Sequence, residues 1–149
     1  MKKLEKYYWW LIIVNLLAIM ATIYLVDLHY KPELSDICTF GQRWNCDIVN
    51  KSTYSTFFGI PVAIMGLVAY LSFLIFSIRG LFRDQTKLIP YFLFFVAGGT
   101  AFALYLTGIE TFVLKTYCIL CVAQQILILI ELGIAAKLYK LTKRHEKTT

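Results

Sequence analysis

Four cysteines form two pairs of unlike spacing: Cys118 and Cys121 are separated by Ile119 and Leu120, whereas seven residues separate Cys38 from Cys46. Cys118-Ile119-Leu120-Cys121 opens an apolar run, so at helical spacing its two sulfurs share one face within the first turn or two. Unpaired amides and the positive end of the helix dipole favour a thiolate there, and a thiolate can attack a disulfide or leave from one. Lys115, just ahead, is expected to add a positive charge pushing the same way. The Cys38 and Cys46 pair lies in a polar stretch containing Gly41, where a short closed loop forms cheaply and opens easily. Two pairs of this kind suggest a relay of electrons.

Two blander uses of the cysteines compete. Both pairs could be structural disulfides bracing the outer face of a non-catalytic protein, but a bridge within one helical turn constrains almost nothing in the unfolded chain. A zinc site also uses C-x-x-C, yet the seven-residue interval between Cys38 and Cys46 does not match the usual ligand spacing, so no metal is expected.

The elements that must hold these sulfurs are read from hydropathy. The chain is 59% hydrophobic over 149 residues, with a mean hydropathy of +0.66, too apolar for an ordinary soluble domain. Crossing ~30 Å of hydrocarbon takes about 20 mainly apolar helical residues. Four such runs are found, about 7–28, 57–78, 88–107 and 116–136, and none is expected to carry a charge near its middle. The fold expected is an all-α integral membrane four-helix bundle, a single transmembrane domain, with an outer loop over 29–56 carrying one cysteine pair and a tail over 137–149. A cleavable leader over 1–27 is disfavoured, because Leu25-Val26-Asp27-Leu28 offers no small-residue cleavage pattern.

The net charge of +6 is topological and needs no nucleic acid. Lys2, Lys3 and Lys6 precede the first run, Arg79, Arg83 and Lys87 fill the second turn, and Lys137, Lys140, Lys143, Arg144 and Lys147 follow the fourth. The opposite side receives only Lys31, Arg43, Lys51 and Lys115. The positive-inside rule therefore puts both termini in the cytoplasm and all four cysteines on the outer face, where disulfides persist.

With Cys38 and Cys46 in the first outer loop, Ser52 six positions later, Phe58-Gly59-Ile60-Pro61 opening the second run and Cys118-Ile119-Leu120-Cys121 opening the fourth, the chain resembles the vitamin K epoxide reductase family. The likeness covers most of the chain and is to the small prokaryotic members without a fused thioredoxin domain. It implies a thiol:quinone oxidoreductase of a prokaryotic cell membrane that reoxidises a thioredoxin-fold, DsbA-type partner supplied in trans and so supports disulfide formation in exported proteins. Cys38 and Cys46 would be the shuttle pair and Cys118 and Cys121 the active-site pair. A loop cysteine would attack Cys118, and Cys121 would face a quinone of the menaquinone or ubiquinone class. Ser52 and Phe58 would lie near the quinone headgroup.

Gln125 stands where animal members place a tyrosine, and Ile75 and its neighbours offer no counterpart of an asparagine those enzymes use. Quinone reduction, rather than epoxide reduction, is therefore the implied reaction. Gln125 shares the face of Cys118 and Cys121, so it is read either as a donor to a quinone carbonyl or as an interhelical hydrogen bond. Ser52 has an equally plain use as a helix cap, and Pro61 one as a first-turn proline. Asn15 has the same two readings as Gln125, with packing the favoured one, and Gly98-Gly99-Thr100 is expected to let helix backbones approach closely. A DsbB-type oxidase would perform the same overall reaction, but there the C-x-x-C belongs to the first outer loop, the reverse of this order.

Overall fold

The computed structural model describes residues 2–31, 38, 41, 43–83 and 85–146. The expected loop 29–56 and tail 137–149 therefore lie partly outside the described residues, as does Lys147. Long helices α1 (Lys2–Tyr30), α3 (Val62–Phe82), α4 (Ile89–Ile109) and α5 (Ile119–Glu146) dominate, with a short α2 (Cys46–Asn50) between α1 and α3. Four segments, built on these long helices, are apolar enough to cross a membrane, making this an all-α multi-pass membrane bundle. The 29 residues of α1 reach about 43 Å at the helical rise.

Lipid explains the surface. Met20, Phe94 and Phe112 are 62%, 74% and 80% exposed, which would be a liability in water and is neutral against acyl chains. Inside, α1 packs against α3 and α5, and α4 packs against α5. The ring closes where Phe92 of α4 stacks on Phe76 of α3 at 4.3 Å and meets Phe73 edge-on at 5.4 Å. Gly80 lets the ring of Tyr8 lie on the α3 backbone, since a Cβ there would overlap that ring. Of the two adjacent glycines of α4 only Gly99 makes the expected close approach: a Cβ on it would stand 3.1 Å from Ile128, whereas Gly98 has nothing within 4 Å.

Several boundaries differ from the sequence expectation. The second span begins at Val62 rather than near 57, because β1 (Thr56–Phe57) pairs antiparallel with β2 (Ile60–Pro61). Phe58 and Gly59 form its two-residue turn with φ of +52° and +80°, the double positive φ that a type I′ hairpin requires. Pro61 consequently stands before the first turn of α3 instead of inside it. The third span does not stop at 107; it widens into an underwound π turn, Glu110–Leu114, that Lys115 ends in the left-handed conformation. The fourth span continues past 136 because its buried face continues, with Ala135 and Leu138 both fully buried.

The expectation of uncharged span interiors fails at one residue. Glu131 is fully buried in the middle of α5, facing α1, where the Asn15 side-chain amide donates to its carboxyl at 2.9 Å and to the Leu11 carbonyl at 2.8 Å. A polar group in hydrocarbon survives when a neighbouring helix supplies a partner, and Asn15 is that partner. Two turns nearer the cysteines, Gln124 repeats the device, its amide donating to the Ala18 carbonyl and the Thr22 hydroxyl.

Candidate active site

The four cysteines come from three segments, and a short backbone strap brings them together. Trp44 and Tyr117 form an isolated parallel bridge in which Tyr117 N–H donates to the Arg43 carbonyl at 2.8 Å and Asn45 N–H to the Tyr117 carbonyl at 3.0 Å. Asn45 then caps α2 by accepting from Ile48 N–H at 3.1 Å, which starts that helix at Cys46. The far end of α2 is tied down by Asn50, whose amide donates to the Leu25 carbonyl at 2.6 Å and whose own carbonyl accepts from His29 Nδ1 at 2.7 Å. Cys46 and Cys118 each follow closely on a bridge residue, so the bridge fixes their approach.

Cys38 and Cys46 form a disulfide with Cα atoms 5.5 Å apart, and Cys118 and Cys121 are free thiols. The sulfurs of Cys38, Cys46 and Cys118 all lie within 4.8 Å of one another. Two of that trio share a covalent bond, so the arrangement is a disulfide with a thiol beside it. All three are buried with Leu25, Leu28 and Val49, and Cys121 is half-buried at their margin.

Cys118 stands immediately before α5: its carbonyl accepts from Val122 N–H at 3.0 Å and its sulfur accepts from Cys121 N–H at 3.3 Å. The sulfur thus takes the place of a capping oxygen. The Cys121 thiol and the amides of Cys121 and Leu120 hold the Cys118 thiol below its ordinary value, against burial and the neighbouring Glu110 carboxyl, which push it up. Lys115 does not supply the expected charge. It is exposed, and the charged group against Cys118 is Glu110, 4% exposed, whose carboxyl accepts from Cys118 N–H at 3.4 Å. Sequence reading missed Glu110; the signal available was a lone carboxyl in an apolar run eight positions before a C-x-x-C.

The residues expected near a quinone have contacts away from the sulfurs. Ser52 does not cap the following turn; its hydroxyl donates back to the Val49 carbonyl at 2.8 Å and closes the exit of α2. Phe58 is 91% exposed at the hairpin tip, edge-on to Phe57, which in turn faces Phe102 of α4. Gln125 makes the interhelical contact, its carbonyl 3.4 Å from the Thr107 hydroxyl, while its buried amide nitrogen has no partner among the described residues. That hydroxyl has one proton and also lies 3.1 Å from the Ala103 carbonyl, so Gln125 keeps spare hydrogen-bonding capacity. An open groove of about 220 Å³ runs beside the disulfide, lined by Tyr24, Cys38, Ile119 and Leu120.

A sequence model of one protein family, described as the Vitamin K epoxide reductase family, matches residues 9–136 of the chain. That stretch contains all four cysteines, the bridge and Glu110.

Proposed function

From the premise that the chain belongs to the vitamin K epoxide reductase family and is a membrane thiol–disulfide oxidoreductase, we propose that it oxidises a thioredoxin-fold partner and reduces a membrane quinone. The observation that carries this is the Cys118 sulfur within 4.8 Å of both sulfurs of the Cys38–Cys46 disulfide. A thiolate exchanges with a disulfide it can reach in line, and Cys118 needs only a small displacement to do so.

In the forward direction a thiolate of the reduced partner attacks the Cys38–Cys46 disulfide and leaves it as two thiols, the partner departing oxidised. One loop thiolate then attacks Cys118 of a Cys118–Cys121 disulfide and frees Cys121, which rests as a thiol and adds to the quinone as its thiolate. The other loop cysteine resolves the mixed disulfide, Cys118 attacks the Cys121 sulfur, and the electron pair stays with the quinone, which takes up two protons. A DsbA-type donor near roughly −120 mV delivers electrons to any more positive quinone. The charge distribution favours an outward-facing sulfur end and cytoplasmic termini. Cys38 and Cys46 are 2% and 0% exposed, so an external thiol reaches them only when the strap over Trp44 and α2 lifts. Phe58 at the hairpin tip and the spare amide of Gln125 are the groups offered to a quinone headgroup, with Ser52 close to the same loop.

The test is purified protein in lipid with a reduced DsbA-type protein and either a menaquinone or a ubiquinone analogue. One quinol should form per partner disulfide, and Cys121→Ser should abolish it. Quinol formation at the wild-type rate by Cys121→Ser would remove catalysis by this pair.

A further inference from the structure

Glu110 begins the π turn that ends the third span, and its carboxyl is buried. Among the described residues no lysine or arginine pairs with it. Its partners are the redox pair: the Cys118 N–H donates to Oε2 at 3.4 Å, and the Cys121 thiol is within hydrogen-bonding reach of the carboxyl. The Glu110 backbone carbonyl also accepts from Thr116 N–H at 3.3 Å, so the residue is fixed against the start of α5. Burying a carboxyl is unfavourable without such partners. Accepting from the Cys118 amide requires only an oxygen, which glutamine would also supply; what a carboxyl alone adds is a site for a proton.

We propose that Glu110 takes the Cys121 proton when the Cys118–Cys121 disulfide forms and hands it to the quinol. The assignment rests on the quinone-reducing function above. Starting from the arrangement observed, with Cys38–Cys46 closed and the other pair reduced, Cys118 enters as the thiolate and its proton has gone to the outer solvent. Cys121 still carries its proton. Glu110 accepts that proton as the Cys121 sulfur bonds to the quinone. Cys118 then attacks the Cys121 sulfur, an S–S bond forms, the sulfur–quinone bond breaks, and two electrons leave on the quinone. The quinol takes one proton from Glu110 and one from solvent, equal to the two lost by the thiols. Cys118 and Cys121 are the titratable groups in contact with Glu110; on the neighbouring segments Tyr24 and Tyr117 are half-buried and Arg43 and Lys115 are exposed.

Glu110→Gln and Glu110→Asp, measured in lipid with quinone and a reduced thioredoxin-fold protein, separate proton transfer from packing. Glu110→Gln keeps the acceptor for the Cys118 amide and should lower kcat about 100-fold or more near neutral pH, the usual contribution of a positioned acid–base group. Its rate should climb back toward wild type with rising pH, because hydroxide then removes the Cys121 proton in place of the carboxylate, and Glu110→Asp should retain more activity than Glu110→Gln. A Glu110→Gln protein with the wild-type rate and pH profile overturns the assignment while leaving quinone reduction intact. A loss of the same size at every pH overturns it too, since that marks a structural role. Wild-type protein without quinone-dependent turnover overturns both.

Discussion

The sulfur of Cys118 lies within 4.8 Å of the sulfur of Cys46, across a two-residue bridge that ties Trp44 to Tyr117. This single proximity couples the Cys38–Cys46 disulfide to a thiol pair at the start of the last span. Cys118→Ser should therefore split the relay in two. A reduced thioredoxin-fold protein should still open Cys38–Cys46 once, seen as free loop thiols by mass, but no quinol should follow. Steady quinol production by Cys118→Ser would show that electrons reach the quinone by another route.

Cys118 should titrate below the ordinary thiol value of about 8.5. Its hydrogen bonds from the Cys121 thiol and from two backbone amides exist only in the folded protein. The folded value is thus depressed, and the sign follows. The thiolate contributes stability above the unfolded value, and that contribution is lost as pH falls through the folded one. The Cβ carbon shift of labelled Cys118, followed with pH, reports the midpoint directly; a midpoint above the free-thiol value would contradict this placement.

Phe58 occupies a left-handed conformation that costs a non-glycine residue roughly 1–2 kcal/mol. Phe58→Gly should relieve that cost and leave the hairpin at least as stable by thermal denaturation in detergent. It should also raise KM for the quinone if the exposed ring meets the headgroup. An unchanged KM would take Phe58 out of the quinone site.

Asn15→Leu should destabilise the bundle by about 1–3 kcal/mol, because it leaves the Glu131 carboxyl buried without its donor. Glu131→Gln keeps an acceptor for Asn15 and should be the milder change. Equal stability of Asn15→Leu and wild type in detergent unfolding would mean that Glu131 finds another partner.

The parts of this molecule legible in its sequence are those governed by solvent. Apolar runs of membrane length, lysines and arginines gathered at Arg79, Arg83, Lys87 and beyond Lys137, and cysteines confined to the opposite end report where each segment sits, whatever it packs against. What stayed hidden depends on partners distant in the chain. Glu131 reads as an anomaly until Asn15 is seen opposite it, and Glu110 until the start of α5 folds back onto it. The hairpin at Phe58 and Gly59 hid in the same way: an apolar Thr56–Pro61 segment fits a helix start by hydropathy, and only two positive φ angles separate the two. Lys115 failed as the activator of Cys118 because sequence proximity does not fix direction; a left-handed turn sends it outward.

Exchange through Cys118 is tested most directly by trapping it. Cys121→Ser protein with its Cys38–Cys46 disulfide closed, kept free of added reductant, acid-quenched and mapped by non-reducing peptide mass spectrometry, should yield a disulfide joining Cys118 to Cys38 or Cys46, formed by exchange of Cys118 onto that bond. Recovery of Cys118 only as a free thiol, with Cys38–Cys46 intact throughout, would contradict the relay.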